Sequence, residues 1–96
     1  MTQAMGRVQG VHNDHQVVFY GLSTCIWCRK TRQFLEDEGF SFEYFYVDLL
    51  AGGEREEVLE RVRRWNPAVS FPTVVVDGVK SIVGFRPEEI AEVLRA

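Results

Sequence analysis

Apolar positions along the chain change period several times, and each change marks an element. Gln16-Val17-Val18-Phe19-Tyr20 is a short apolar run closed by Gly21, the pattern of a buried strand. Ser23 and Thr24 offer hydroxyls suited to capping a helix that runs to about Glu38 and stops at Gly39. Within it Thr31, Phe34 and Leu35 recur at i, i+3 and i+4 and predict a core-facing stripe. Phe42 to Val47 is rich in aromatic and β-branched residues and predicts a second strand, followed by a loop from Asp48 to Gly53. From Glu54 to about Asn66 the period is helical again. Val58, Leu59, Val62 and Trp65 form its apolar stripe, with Glu57–Arg61 and Glu60–Arg64 as outer i, i+4 pairs, and Pro67 ends it.

Thr73–Val76 and Lys80–Val83 flank Asp77-Gly78-Val79 and predict a hairpin, because Asp-Gly supplies the positive φ angles of a tight turn. Gly84 breaks the second of these strands. Pro87 suits the first turn of a last helix, on which Ile90, Val93 and Leu94 share a face. The order β-α-β-α-β-β-α predicts an α/β domain over residues 16–96. Its first two strands are parallel through a right-handed crossover, its last two antiparallel, and helices flank both faces of a mixed four-stranded sheet. Residues 1–15, polar and glycine-containing, read as a flexible tail.

Composition narrows the function classes. The 96 residues are 46% hydrophobic, enough for one core. A net charge of −3 leaves no electrostatic footprint for nucleic acid or an anionic membrane. No apolar run reaches the roughly 18–20 residues that span a bilayer, and the tail lacks the roughly 7–15 apolar residues of a secretory leader. A cytoplasmic location is expected. In that reducing setting Cys25 and Cys28, three positions apart, are chemical groups rather than a structural staple.

Exchange at sulfur requires the thiolate, and a free cysteine with a pKa near 8.5 is only about 3% ionised at pH 7. Cys25 follows a strand and a turn and opens a helix. The unpaired N–H groups and positive dipole end of that helix favour an anion, and Arg29 and Lys30 add positive charge. Lowering a thiol pKa by about 2.5 units raises the thiolate fraction about 30-fold, and the lost nucleophilicity returns about tenfold of it. The larger benefit is a better leaving group when a mixed disulfide is resolved. Residues i and i+3 at a helix start hold their Cβ atoms about 5–6 Å apart, a small adjustment from the roughly 3.5–4.5 Å of a disulfide. Cys28, one turn deeper, is the expected resolving thiol. Two electrons then move with no bound cofactor. The residues leave two alternatives open: a Cys₂His₂ zinc set completed by His12 and His15, or an iron–sulfur cluster shared between two subunits.

Three stretches carry a family resemblance: Cys25-Ile26-Trp27-Cys28 on the first helix, Ser70-Phe71-Pro72-Thr73 before the hairpin, and Val83-Gly84-Phe85-Arg86-Pro87 after it. From about Val17 to Leu94 the chain resembles the glutaredoxin branch of the thioredoxin superfamily. The last stretch looks especially like the glutaredoxin-like reductants that feed ribonucleotide reductase. The resemblance implies a thioredoxin-like fold and reduction of protein or glutathione-mixed disulfides, with Cys25 as nucleophile and Cys28 as resolver. It also implies a cis peptide at Phe71–Pro72, which would turn the Phe71 backbone toward an extended substrate. The implied substrate-binding set is Thr24, Trp27, Phe71, Pro72, Gly84 and Phe85, with no metal ligand and a monomeric protein. Ile26 stands where glutathione-using members usually have proline, and Gly84-Phe85-Arg86-Pro87 replaces their glycine-glycine-x-aspartate. The electron donor is accordingly either glutathione or a flavoprotein of the thioredoxin reductase type. Trp27, beside the thiols, reads as an apolar docking surface, whereas Trp65 reads as core. Arg61, Arg63 and Arg64 read as a solvated, glutamate-paired helix face.

Overall fold

The computed structural model describes residues 3–95; Met1 and Thr2 of the expected tail, and Ala96, lie outside the described residues. Strands β1 (Met5–Val8), β2 (Val17–Gly21), β3 (Phe42–Tyr46), β4 (Thr73–Val76) and β5 (Lys80–Val83) form one sheet in the order β1-β3-β2-β4-β5. Three helices complete the fold: α1 (Ile26–Asp37), α2 (Gly52–Trp65) and α3 (Pro87–Leu94).

β2 and β3 run parallel, Phe19 opposite Tyr44, with α1 as the crossover between them. β4 pairs antiparallel with both β2 and β5. Both faces of the sheet are covered, which explains the unbroken apolar runs of β2 and β4. Val17, Phe19, Phe42, Tyr44, Tyr46, Val74 and Val76 pack with Cys28 and Leu35 of α1 and with Ile90 and Leu94 of α3. On the opposite face Tyr20, Phe45 and Val75 pack with Val58 and Val62 of α2. The period of two within each strand thus divides one run between two half-cores.

The sheet has five strands rather than the four that the hydrophobic pattern predicts, and the extra one comes from the expected tail. β1 adds antiparallel to the outer edge of β3, Gly6 opposite Tyr44. A Cβ at residue 6 would come within 2.7 Å of the Tyr44 hydroxyl, so the glycine lets that ring lie over the strand. The following segment is strapped as well. The Gly10 N–H donates to Ser41 Oγ at 2.8 Å, the His12 N–H donates to the Gly39 carbonyl while the His12 carbonyl accepts the Ser41 N–H, and Asp77 accepts from Gln16 N–H at 2.7 Å. Met5-Gly6-Arg7-Val8 has weak strand propensity of its own, and its order comes from the edge that β3 offers.

Smaller departures have local causes. Val47 leaves the expected strand for a 3₁₀ turn over Val47–Leu49, which takes up the start of the expected loop. α2 begins at Gly52, two residues before Glu54. Glu60 pairs with Arg63 at i+3 rather than with Arg64, while Glu57–Arg61 forms at 2.9 Å as expected. The Asp77-Gly78 turn has φ of 55° and 64°, and the Val79 N–H closes it on the Val76 carbonyl.

Candidate active site

Cys25 and Cys28 sit where β2 hands over to α1. The chain leaves β2 at Gly21, turns through Leu22-Ser23-Thr24, and reaches Cys25 in an extended conformation (φ −88°, ψ 122°). The Cys25 N–H donates to the Leu22 carbonyl at 3.2 Å, closing that turn. Neither Ser23 nor Thr24 caps the helix. Cys25 is itself the N-cap, and its Sγ accepts the Cys28 N–H at 3.2 Å. The sulfur therefore occupies the position a capping oxygen normally takes, and α1 carries no acidic residue in its first turn. The Ser23 hydroxyl and N–H both donate to the Asp48 carboxylate, the latter at 2.8 Å.

Cys28 is wholly buried, whereas Cys25 is half-exposed; both are free thiols. Burial pushes the Cys28 thiol up to about 12, helped by its bond with Cys25 and by the charge of Asp48. One group opposes the rise: the Leu22 N–H, which donates to Cys28 Sγ at 3.5 Å. Gly21 makes room for this burial. A Cβ there would meet the Phe19 ring at 2.7 Å and the Cys28 Cβ at 3.3 Å.

Five of the six residues expected to bind substrate converge. Trp27, Phe71, Pro72, Gly84 and Phe85 line a groove of about 290 Å³. Phe71 and Cys25 both pack against the core that holds Cys28. Thr24 is exposed in the turn before Cys25 and does not line the groove. The Phe71–Pro72 peptide is cis, and the Gly84 N–H donates to the Pro72 carbonyl at 2.9 Å, tying the two sides of the groove together. Trp27, 53% exposed, stacks on Phe85, and Lys30 Nζ lies 4.9 Å over the indole. On the other flank of α1, Arg29 and Arg32 border a polar groove of about 620 Å³ with Leu22, Ser23, Tyr44 and Tyr46.

The zinc alternative does not assemble. His15 Nδ1 bonds Asp77 at 2.7 Å and the His12 ring packs on Phe40, both away from the thiols. Among the described residues, no three His, Cys, Asp or Glu side chains group to hold a metal ion. Likewise no helix among them is long and apolar enough to cross a membrane.

Two supports escaped the sequence reading. Asn66, buried after α2, donates through Nδ2 to Ser70 O, Ser70 Oγ and Thr73 Oγ1, and so fixes the segment that carries Phe71 and Pro72. Asp48 holds Ser23. Both are ordinary polar residues at element ends, with no signal in spacing to single them out.

A mixed sheet with a Cys-x-x-Cys pair opening its first helix defines the class: a thiol–disulfide oxidoreductase of thioredoxin-like fold. The glutaredoxin family model matches residues 17–80, and the chain belongs to that family. Among solved structures it is similar to the glutaredoxin of Methanosarcina mazei Go1, 50% identical at a TM-score of 0.87, covering 96% of this chain and 88% of that one. It is also similar to the methanoredoxin of Methanosarcina acetivorans, 45% identical at 0.87, covering 93% and 94%. A third, the glutaredoxin-like NrdH-redoxin of Escherichia coli, is 30% identical at a TM-score of 0.65, covers 80% and 92%, and is described by its thioredoxin-like activity profile.

Proposed function

We propose that this protein reduces protein disulfides and mixed disulfides by a dithiol cycle, acting as a monomer in the reducing cytoplasm. Cys25 thiolate attacks one sulfur of the substrate disulfide; a Cys25–substrate disulfide forms and the other substrate thiolate leaves. Cys28 then loses its proton and attacks Cys25 Sγ. The intramolecular disulfide forms, and the second substrate thiolate departs with the electron pair and takes up a proton. The net transfer is two electrons. The observation that carries this reading is Cys25 Sγ standing half-exposed as the N-cap of α1 with the Cys28 N–H on it, which sets the buried second thiol one turn away for the exchange.

The electron donor we favour is a flavoprotein of the thioredoxin reductase type. Glutathione brings two carboxylates and an ammonium group, and the groove lined by Trp27, Phe71, Pro72, Gly84 and Phe85 contains no charged side chain. The apolar lining fits an extended protein segment, whose backbone can pair with that of Phe71. Two coupled assays test this: NADPH with thioredoxin reductase, and NADPH with glutathione and glutathione reductase, each with insulin disulfides as acceptor. Turnover in the first and little in the second supports the reading; the reverse overturns the donor. Cys25→Ser should abolish turnover, and retention of full activity would overturn the mechanism.

A further inference from the structure

Asp48 lies outside the Cys-x-x-Cys pair and outside the groove, yet both of its carboxylate oxygens are committed to the turn that precedes Cys25. One accepts the Ser23 N–H at 2.8 Å and the other accepts the Ser23 hydroxyl. The residue before Ser23 is Leu22, whose own N–H reaches Cys28 Sγ at 3.5 Å and whose carbonyl takes the Cys25 N–H at 3.2 Å. A carboxylate on the 3₁₀ turn after β3 thus fixes the dipeptide that reaches Cys28 Sγ and the Cys25 backbone N–H. The Arg55 guanidinium bonds the Asp48 carbonyl at 3.3 Å, so α2 holds the anchor from the other side.

We propose that Asp48 is a positioning residue for the resolving thiol: by clamping Ser23 it keeps the Leu22 N–H aimed at Cys28 Sγ, where the resolving thiolate develops. The proposal rests on the dithiol reading above. Cys28 is buried, and its thiolate must form in the step that makes the Cys25–Cys28 bond and releases the substrate thiolate. Only a donor already aimed at that sulfur stabilises the charge without reorganisation. First attack by Cys25 has its own donor in the Cys28 N–H, so losing the Asp48 clamp weighs on resolution. The charge of Asp48 acts in the opposite sense, raising Cys28. The groups acting on Cys28 in this network are the Asp48 carboxylate, bonded by Ser23, the Leu22 N–H and the Cys25 thiol.

Reaction with dithionitrobenzoate separates the steps. The first equivalent of thionitrobenzoate reports attack by Cys25 and the second reports resolution by Cys28. In Asp48→Ala the ratio of second to first rate constant should fall about fivefold, the order expected for the net worth of one ordinary hydrogen bond. Asp48→Asn keeps an acceptor for the Ser23 N–H and an amide for its hydroxyl, and removes the charge. It should restore the ratio to the wild-type value or above. Ser23→Ala keeps the backbone bond and should lower the ratio by a smaller factor. An unchanged ratio in Asp48→Ala, or an Asp48→Asn ratio as low as that of the alanine variant, overturns the proposal. Should the alanine variant be too unstable to assay, an unchanged ratio in Ser23→Ala does the same. Release of a single equivalent by the wild-type chain overturns the dithiol reading itself, and this proposal with it.

Discussion

The indole of Trp27 stacks on the ring of Phe85, with 6.0 Å between centroids and 26° between planes, and so joins the first turn of α1 to the loop after β5. The pair forms one wall of the apolar groove, with Phe71 and Pro72 as another. An offset aromatic pair is worth about 0.5–1.5 kcal/mol beyond the area it covers. Removing one ring also opens the wall on which an apolar substrate segment would lie.

Phe85→Ala should therefore raise KM for a protein disulfide by about two- to tenfold, with a smaller change in kcat. Steady-state reduction of insulin disulfides measures both. A fall in kcat at constant KM would place Phe85 in the chemistry instead of in substrate binding.

Gly21→Ala tests whether the backbone must pass close to the buried Cys28 thiol. The added methyl meets the Phe19 ring at 2.7 Å, and Phe19 is fully buried between Phe42 and Tyr46. With no flexible side chain to give way, overpacking should cost about 1–3 kcal/mol, read as a lower urea midpoint at unchanged m.

The buried Cys28 thiol sets a pH dependence of stability. Its folded value of about 12 lies above the unfolded value, near 8.5. Below pH 8.5 both states hold the proton and its contribution is complete. As pH rises toward 12 the unfolded chain loses a proton that the native state retains, so stability falls across that window. Stability should therefore be lower at pH 10 than at pH 7. Urea unfolding at pH 7 and pH 10 measures it, and Cys28→Ala should remove that part of the difference. Iodoacetamide at pH 7 should label Cys25 and spare Cys28 in the folded chain.

Asn66→Ala should cost about 1–3 kcal/mol, because the Ser70 carbonyl and the Thr73 hydroxyl lose a buried partner. It should also raise KM for protein disulfides, since residues 66–73 carry one side of the groove. Thermal unfolding and the insulin assay report the two effects, and a stability loss with KM unmoved would confine Asn66 to folding.

Most elements that build the site could be read from the chain because their information is local. The hairpin over residues 73–83 was legible from Asp77-Gly78, and α2 from the stripe of Val58 and Val62, now buried. The thiol pair was legible from its spacing, and the groove residues Phe71, Pro72, Gly84 and Phe85 through family resemblance. β1 was not. Its four residues alternate between exposed and half-buried and owe their strand conformation to hydrogen bonds with β3, which no local pattern announces.

The sequence by itself singled out the candidate reactive atoms, since Cys-x-x-Cys after a strand and before a helix fixes the sulfur spacing through helix geometry alone. Tertiary structure decided how each sulfur is held. Cys25, and not Ser23 or Thr24, caps α1, while the Asp48 carboxylate, reached only when β3 folds beside β2, takes the Ser23 donors. Cys28 is buried because Gly21 and the core close over it. Hydrogen bonds between residues distant in the chain depend on the packed sheet that brings them together, and a linear pattern carries no record of that proximity.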